Sequence, residues 1–360
     1  RPKGPNGSAP LARTAHIVRS LKHPDEVRLL REIYGDGFFL IGVTSSREKR
    51  RSYLIEQKGM KEVQADHLMN RDRQEELDYG QHTRDAFHLA DGFVDIGSET
   101  AARLQVKRII DLIFGSPFLT PTKDEYAMFL AVAASTRSSD LSRQVGAVVM
   151  SQTGDIISTG TNDVPSSGGG LYWEGDENDQ RDFKLGFDSN DQQRMQIADK
   201  ILEAVKQQKT LENAEKIFRN TGLFDITEYG RAVHAEMEAL LSCARSGVST
   251  KEAILYCTTF PCHNCAKHIV SAGIAEVVFI EPYPKSQALT LHQDAISFEH
   301  ESIKPSSKNK KTVKFKPFVG VGPKRFIDLF SMKLGSGNAL KRESKGRAVN
   351  WDRKKASVRV

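Results

Sequence analysis

His234-Ala235-Glu236 and, further along, Pro261-Cys262-His263-Asn264-Cys265 are the stretches on which the reading of this chain turns. One imidazole and two thiolates supply three ligands of a tetrahedral zinc site and leave the fourth position for water, which marks a catalytic rather than a closed structural centre. Zinc on His234, Cys262 and Cys265 would bring the pKa of that water down to about 7. Glu236, two residues beyond the histidine, is placed to carry a proton from the water to a substrate. Pro261 suits the first position of a helix, so Cys262 and Cys265 are expected in its opening turns, where backbone N–H groups and the dipole favour thiolates. His234 is expected near the start of its own helix, and two helix N-termini then converge on the metal. A lone Cys-x-x-Cys also serves as half of a structural zinc site or as a redox pair. Here no second Cys-x-x-Cys or His pair completes a four-ligand site, and a redox pair has no need of His-x-Glu. Cys243 and Cys257 read as packed thiols and His263 as a surface residue.

Outward from these motifs the chain alternates helix and strand signals. On the C-terminal side a helix from Ala232 to Ala244, a strand Ala253 to Cys257, a helix from Pro261 and a strand Glu276 to Ile280 follow in order. On the N-terminal side Tyr126 to Ser135 has helical composition, and Val145 to Met150 pairs with Ile156 to Thr159 across the Ser151–Gly154 turn. Between lies a long excursion with Gly168 to Gly170, the acids Glu174, Asp176, Glu177, Asp179 and Asp182, and a helix that aligns Ile197, Ile201 and Val205. Further upstream are a helix over His23 to Tyr34, a buried strand Gly37 to Val43, a second at Gly92 to Ile96 and a helix Glu99 to Phe114. Gly115-Ser116-Pro117 reads as a domain boundary. This alternation predicts an α/β layered domain with helices on both sheet faces.

Val233-His234-Ala235-Glu236 and the run Tyr256 to Lys267 resemble the deoxycytidylate deaminase family, a branch of the cytidine-deaminase-like fold and bearer of a zinc deaminase signature. Arg143-Gln144-Val145-Gly146-Ala147-Val148 resembles that family's first core strand, and Gly160-Thr161-Asn162-Asp163-Val164-Pro165 its substrate loop. The resemblance covers roughly Asp124 to Ile296. It implies a three-layer α/β/α domain, Zn2+ on His234, Cys262 and Cys265, Glu236 as proton shuttle, Asn162 on the nucleotide, and conversion of cytosine to uracil in free dCMP or dCTP. The alternative for Asn162 is a turn residue. The insertion 166–229 and a large N-terminal region depart from simple family members. Both features, with Glu281 to Ser286 and Leu291 to Asp294, resemble fused bacterial deaminases of anti-phage defence, in which a P-loop kinase-like domain precedes the deaminase. The expected division is therefore 1–116 as a partial α/β nucleotide-kinase-like domain, 117–335 as the deaminase and 336–360 as a basic tail. No Gly-x-x-x-x-Gly-Lys-Ser/Thr loop occurs, so kinase activity is not predicted and the first region is read either as lacking upstream residues or as a degenerate scaffold.

The 360 residues give room for two cores, and 39% hydrophobic and 27% charged residues are ordinary for a globular chain. Apolar runs fall short of a membrane span, no secretory signal stands at the start, and four clustered cysteines suit a reducing compartment, so a cytoplasmic place is expected. The net charge of +6 is concentrated in Lys341 to Val360, with eight Lys/Arg against two Asp/Glu, a tail that is either solvated or turned to phosphates or RNA. Phosphate candidates are Arg143, Lys285, Lys324 and Arg325, and Tyr283 is a candidate border of the base pocket. The acidic insertion reads as a solvated loop, a lid or a magnesium holder. A homo-oligomer and a regulatory nucleotide or RNA are the expected partners. Two rival readings stay open, a deaminase of bases in RNA or single-stranded DNA, which uses the same chemistry, and an inactive nucleotide- or RNA-binding module.

Overall fold

A computed structural model describes residues 14–74, 83–204, 229–283, 285–298 and 311–359. The first elements are α1 (Pro24–Tyr34), β1 (Ile41–Thr44), α2 (Arg47–Ser52), α3 (Glu62–Gln74), α4 (Thr83–Phe87), β2 (Gly92–Asp95) and α5 (Glu99–Ile113). Then come α6 (Lys123–Ser135), β3 (Gly146–Met150), β4 (Ile156–Thr161), α7 (Asp182–Leu185), α8 (Ser189–Ala204), α9 (Ala235–Arg245), β5 (Ile254–Thr259), α10 (His263–Ser271) and β6 (Glu276–Glu281). The last are α11 (Ala288–Leu291), β7 (Ile296–Phe298), β8 (Val313–Pro317), β9 (Gly320–Val321), α12 (Phe326–Phe330), β10 (Glu343–Ser344) and β11 (Arg347–Ala348). No helix among the described residues is long and apolar enough to cross a membrane.

Six strands form the central sheet in the order β4-β3-β5-β6-β8-β7. β3 is antiparallel to both neighbours, whereas β5, β6, β8 and β7 run parallel. Alternation along β3 sorts its side chains between two cores: Ala147 and Val149 join Ala235, Ala239, Ala266 and Ile269 from α9 and α10. Val148 and Met150 join Ala127, Met128 and Ala131 of α6 on the other face. This is the cytidine-deaminase-like three-layer arrangement, and period-2 strand patterning is its cause. Two glycines let the layers close. A Cβ on Gly146 would stand 1.9 Å from the Ala131 carbonyl oxygen, and one on Gly160 would stand 2.1 Å from that of Ala235.

Element boundaries follow local chemistry. Thr122 and Glu125 exchange side-chain and backbone hydrogen bonds in a capping box that starts α6, a device that contributes about 1 kcal/mol. The strand expected from Gly37 begins only at Ile41, because Gly35–Gly37 closes a 3-10 turn. The helix expected from Ala232 begins at Ala235, since Val233 exchanges backbone hydrogen bonds with Asp163 and His234 serves as N-cap. The aligned Ile197 and Ile201 lie in α8; Val205 lies outside the described residues.

The region before α6 packs on the second face of the sheet. Ala90 and Phe93 share the core of Met128, Val148, Tyr256, Val278 and Phe318. A small sheet, β1-β2-β9, takes its third strand from the far end of the chain. Beneath it Asp91, fully buried, accepts from Leu40 N at 2.7 Å and pairs with Arg31 at 2.9 Å and Arg325 at 3.2 Å. Arg325 also reaches Asp36 at 3.1 Å and the Phe38 carbonyl at 3.2 Å, so its guanidinium is spent on structure and not free for a phosphate.

The basic C-terminal segment is docked and not merely solvated. Arg359 is buried, with its N–H on the Ile113 carbonyl and its guanidinium on the carbonyls of Leu329 and Ser331. Trp351 Nε1 donates to the Phe114 carbonyl and Arg353 pairs with Asp111 at 3.0 Å.

Replacing Asp91 by Ala strands two arginines against a buried backbone, and urea unfolding is expected to show a loss of about 3–5 kcal/mol. A loss below about 1 kcal/mol would mean that the cluster does not tie the N-terminal region to the sheet.

Candidate metal centre

Pairing directions bring four strand ends to one edge of the sheet. β5 and β6 are parallel and finish together at Thr259 and Glu281, while β3 starts and β4 ends at that same edge, with Gly146 opposite Thr161. The loops leaving this edge carry every residue of the site.

His234 is the N-cap of α9, in extended conformation, and Cys262 is the N-cap of α10, where its sulfur accepts from Cys265 N at 3.4 Å. Pro261 therefore precedes the helix instead of opening it, and the thiolate takes the capping role directly. His234 Nδ1 lies 3.3 Å from Cys262 Sγ and 3.4 Å from Cys265 Sγ. A tetrahedral zinc with bonds of about 2.0–2.1 Å to nitrogen and 2.3 Å to sulfur spans roughly 3.6 Å between such atoms. The donor set and its spacing thus fit zinc closely, and all three ligand atoms lie within 4.8 Å of one another. The cysteines are 8% and 3% exposed, so the fourth position is shielded from bulk solvent on their side.

Glu236, 4% exposed in the first turn of α9, receives a hydrogen bond from Cys265 Sγ at 3.6 Å. Burial pushes its carboxyl above the ordinary range. The hydrogen bond to the Cys262 sulfur raises the His234 imidazole to about 9, with smaller help from the charges of Glu236 and Asp140. The Cys262 thiol is held low by hydrogen bonds from Cys265 and His234, whereas the Cys265 thiol goes up. Zinc binding requires both thiols and the imidazole in their deprotonated forms, so metal uptake releases protons.

The other site candidates have definite places. Asn162, buried at the end of β4, accepts from Val145 N at 2.7 Å through Oδ1 and donates to the Arg143 carbonyl at 2.8 Å through Nδ2. Its amide thus shapes the loop before β3, and one N–H of that amide is left over for a further acceptor. Arg143 pairs with Glu281 at 2.6 Å. Tyr283 packs against the core beside α10, and the exposed Lys285 precedes Ser286, whose hydroxyl donates to the Pro261 carbonyl at 2.7 Å. Cys243 and Cys257 are buried thiols, as read.

Residues that motif reading passed over also hold the site. Asp163, 1% exposed, accepts from Ser139 N and Oγ at 3.1 and 3.0 Å and from Val164 N at 2.8 Å. It ties the 138–140 loop to the segment that enters His234. Its place inside the substrate-loop motif was a visible signal; its partners were not. In the insertion, Arg181 holds Asp179 at 2.6 Å and Glu174 at 3.1 Å, Arg231 holds Asp182 at 3.0 Å, and Asp176 accepts from Trp173 N at 2.8 Å. Four of the five acids are thus engaged by the protein itself, while Glu174, Asp176 and Glu177 remain exposed to solvent.

Two substitutions test this construction. Cys262→Ala is expected to strip zinc from the purified protein in plasma emission analysis, and full zinc content would remove Cys262 from the ligand set. Gly160→Ala drives a methyl into the α9 backbone, which is expected to cost about 1–3 kcal/mol in thermal unfolding and to weaken zinc retention. Unchanged stability would mean that α9 can shift freely.

Residues 121–281 match the cytidine and deoxycytidylate deaminase zinc-binding region. ComE operon protein 2 of Bacillus subtilis is 47% identical over 15% of this chain and 28% of its own length, so that alignment spans less than a third of the relative. Deoxycytidylate deaminase of Mus musculus is 27% identical over 46% of this chain and 69% of its own. Among solved structures, dCMP deaminase from the cyanophage S-TIM5 in complex with dCMP and dUMP is 19% identical, with a TM-score of 0.32 over 56% of this chain and 100% of that one. The family match takes in Asn162, His234, Glu236, Cys262 and Cys265 together, and over that stretch the chain is similar to cytidine and deoxycytidylate deaminases.

Proposed function

We propose that this protein hydrolytically deaminates the cytosine of a free deoxycytidine nucleotide, dCMP, dCTP or both, to the uracil form with release of ammonia. The observation that carries the reading is the buried Glu236 carboxyl beside three convergent ligand atoms at the N-terminal ends of two helices. Zinc held by His234 Nδ1, Cys262 Sγ and Cys265 Sγ would supply Lewis acidity that makes water a nucleophile near neutral pH.

The chain's own groups account for proton movement. Glu236 takes a proton from the attacking water as the new C–O bond forms and gives it to the pyrimidine ring nitrogen. It then takes the remaining proton of the added hydroxyl and passes it to the amine, so the C–N bond breaks and ammonia leaves as the carbonyl forms. Its burial keeps bulk water from competing for those protons and sets its pKa nearer neutrality than that of an exposed carboxyl. The leftover N–H of Asn162 faces the same sheet edge and suits an acceptor on the nucleotide, while Arg143 and Lys285 suit its phosphate and Tyr283 borders the base. A structural zinc needs no proton shuttle, so the intact Glu236 favours an enzyme over a binding module.

The wider reading divides the protein into 1–116, 117–335 with insertion 166–229, and the basic segment 336–360. The first part serves as a kinase-like support for the deaminase part, consistent with its use of β9 and Arg325 from residues 117–335. Depletion of deoxycytidine nucleotides in anti-phage defence is the reading supported by the resemblance of the N-terminal region, the insertion, Glu281 to Ser286 and Leu291 to Asp294 to that bacterial group; a reducing cytoplasm suits the four clustered cysteines, and a homo-oligomer is the expected assembly.

Ammonia release from dCMP, dCTP, cytidine and a cytosine-containing oligonucleotide, assayed separately, tests the reading. Turnover of dCMP or dCTP is expected. Activity confined to the oligonucleotide would transfer the protein to the polynucleotide class. Glu236→Gln is expected to keep fold and zinc while losing roughly 10²–10⁴ in kcat; retained turnover would take Glu236 out of the mechanism.

A further inference from the structure

We infer that Glu281, at the end of β6, is a positioning residue that holds Arg143 across the mouth of the site for the substrate phosphate. This inference rests on the nucleotide-deaminase reading given above.

Arg143 Nη2 meets Glu281 Oε2 at 2.6 Å, and the two side chains are 47% and 26% exposed. The pair spans two halves of the site. On one side, Glu281 carries Cys262's approach: its carbonyl accepts from Phe260 N at 2.7 Å, its carboxylate accepts from Thr259 Oγ1 at 3.5 Å, and Phe260 leads through Pro261 into the metal ligands. On the other side, the Arg143 backbone is gripped at both ends. Its N–H donates to Asp140 Oδ1 at 3.2 Å, and its carbonyl accepts from Asn162 at 2.8 Å.

The root of the Arg143 side chain is therefore fixed relative to Asn162, and its tip is fixed relative to the Cys262 loop. An arginine rooted but untethered at the tip samples many rotamers and loses that side-chain entropy when it meets a ligand. Glu281 removes most of that cost in advance. A guanidinium presents five N–H donors, and one engaged by Glu281 leaves four for phosphate oxygens. The carboxylate also lowers the net charge at the mouth, so tethering and repulsion of phosphate oppose each other. Both side chains keep access to water, 47% exposed for Arg143 and 26% for Glu281, so solvent dielectric weakens the repulsion, whereas the loss of orientation is not weakened in this way. Tethering prevails, and removal of Glu281 weakens nucleotide binding.

The test compares kcat and KM for dCMP in the zinc-loaded full chain, Glu281→Gln, Glu281→Ala, Arg143→Ala and the Glu281→Ala/Arg143→Ala double variant. Glu281→Ala is expected to raise KM for dCMP about tenfold, the scale of one charged hydrogen bond, with kcat changed much less. Glu281→Gln, which retains an acceptor for Arg143, is expected to recover part of that loss. The double variant is expected to be no worse than Arg143→Ala, because Glu281 acts only through Arg143. Calorimetric titration with dUMP against deoxyuridine adds a readout free of chemistry, in which the preference for the phosphorylated ligand falls in the Glu281→Ala protein. A tighter KM in Glu281→Ala would overturn the inference in favour of simple repulsion. Additive losses, or equal losses for dUMP and deoxyuridine, would overturn it in favour of a structural role. If the unmodified protein turns over no nucleotide, the nucleotide-deaminase reading falls and this one with it; if it turns over dCMP and Glu281→Ala behaves identically, only the present inference falls.

Discussion

The carbonyl oxygen of Ala235 lies where a side chain on Gly160 would have to be, and that backbone-to-backbone contact sets the metal group in place. Helix α9 can rest this close to β4 only because residue 160 lacks a Cβ. With that separation fixed, Val233 is near enough to exchange hydrogen bonds with Asp163, and the next residue, His234, is delivered to the sheet edge as an N-cap. Cys262 arrives by a separate constraint, the parallel register of β5 with β6 and the hydrogen bond of Phe260 to Glu281. The metal geometry is the intersection of two backbone constraints, so neither cysteine nor histidine needs a strained conformation.

Charge is handled locally throughout the molecule. Asp91 with Arg31 and Arg325, Glu125 with Arg108 at 2.7 Å, and Arg181 with Asp179 each neutralise a buried group inside one cluster. Pairs of this sort contribute little net stability compared with apolar packing, but they penalise every alternative docking that would separate them. Their location follows that logic: the first two clusters join the N-terminal region to the central sheet, and the third folds the insertion back on itself. The buried polar chemistry of the metal centre differs, because Glu236 takes its side-chain hydrogen bond from the Cys265 thiol and burial pushes its carboxyl up.

Much of the centre was legible in the sequence because metal ligands are contiguous motifs. His234, Glu236, Cys262 and Cys265 sit at short spacings that have few other uses, and the strands around them announce themselves by apolar runs. Positions whose meaning depends on distant partners were not legible. Asp163 looks like any turn aspartate until Ser139 and Val233 meet it, and Arg325 looks like a free cation until Asp91 and Asp36 enclose it. The strand β8 went unread although Val313-Lys314-Phe315-Lys316 alternates buried apolar and outward charged residues as a half-buried strand does, whereas β9, only Gly320–Val321, carries no strand signal of its own and is defined by its register with β2. The basic C-terminal segment misled for the same reason, since Arg353 and Arg359 count as excess charge until their partners on α5 and near α12 are known.

Division of labour at the sheet edge explains why such a site tolerates large additions. Parallel strands β5 and β6 deliver the metal-binding turn at their carboxyl ends, the usual location for ligands in sheets of this kind. The antiparallel β3–β4 hairpin brings Arg143 and Asn162 to the same edge from the opposite chain direction. Insertion 166–229 leaves the hairpin after Asn162 and returns just before His234, and the Asp163–Val233 bridge closes its base. A loop whose ends are clamped by backbone hydrogen bonds can grow at a modest entropic cost, about 0.6 kcal/mol per doubling of length, without moving the residues beyond the clamp. The chemistry is thereby insulated from the insertion, while Leu141 and Ser142 of the adjoining loop share a cavity of about 430 Å³ with Phe187 and Met195 of the insertion. Changes within the insertion should consequently alter what reaches the site before they alter what the site does, and selection could extend this segment while His234 and Glu236 stayed in register.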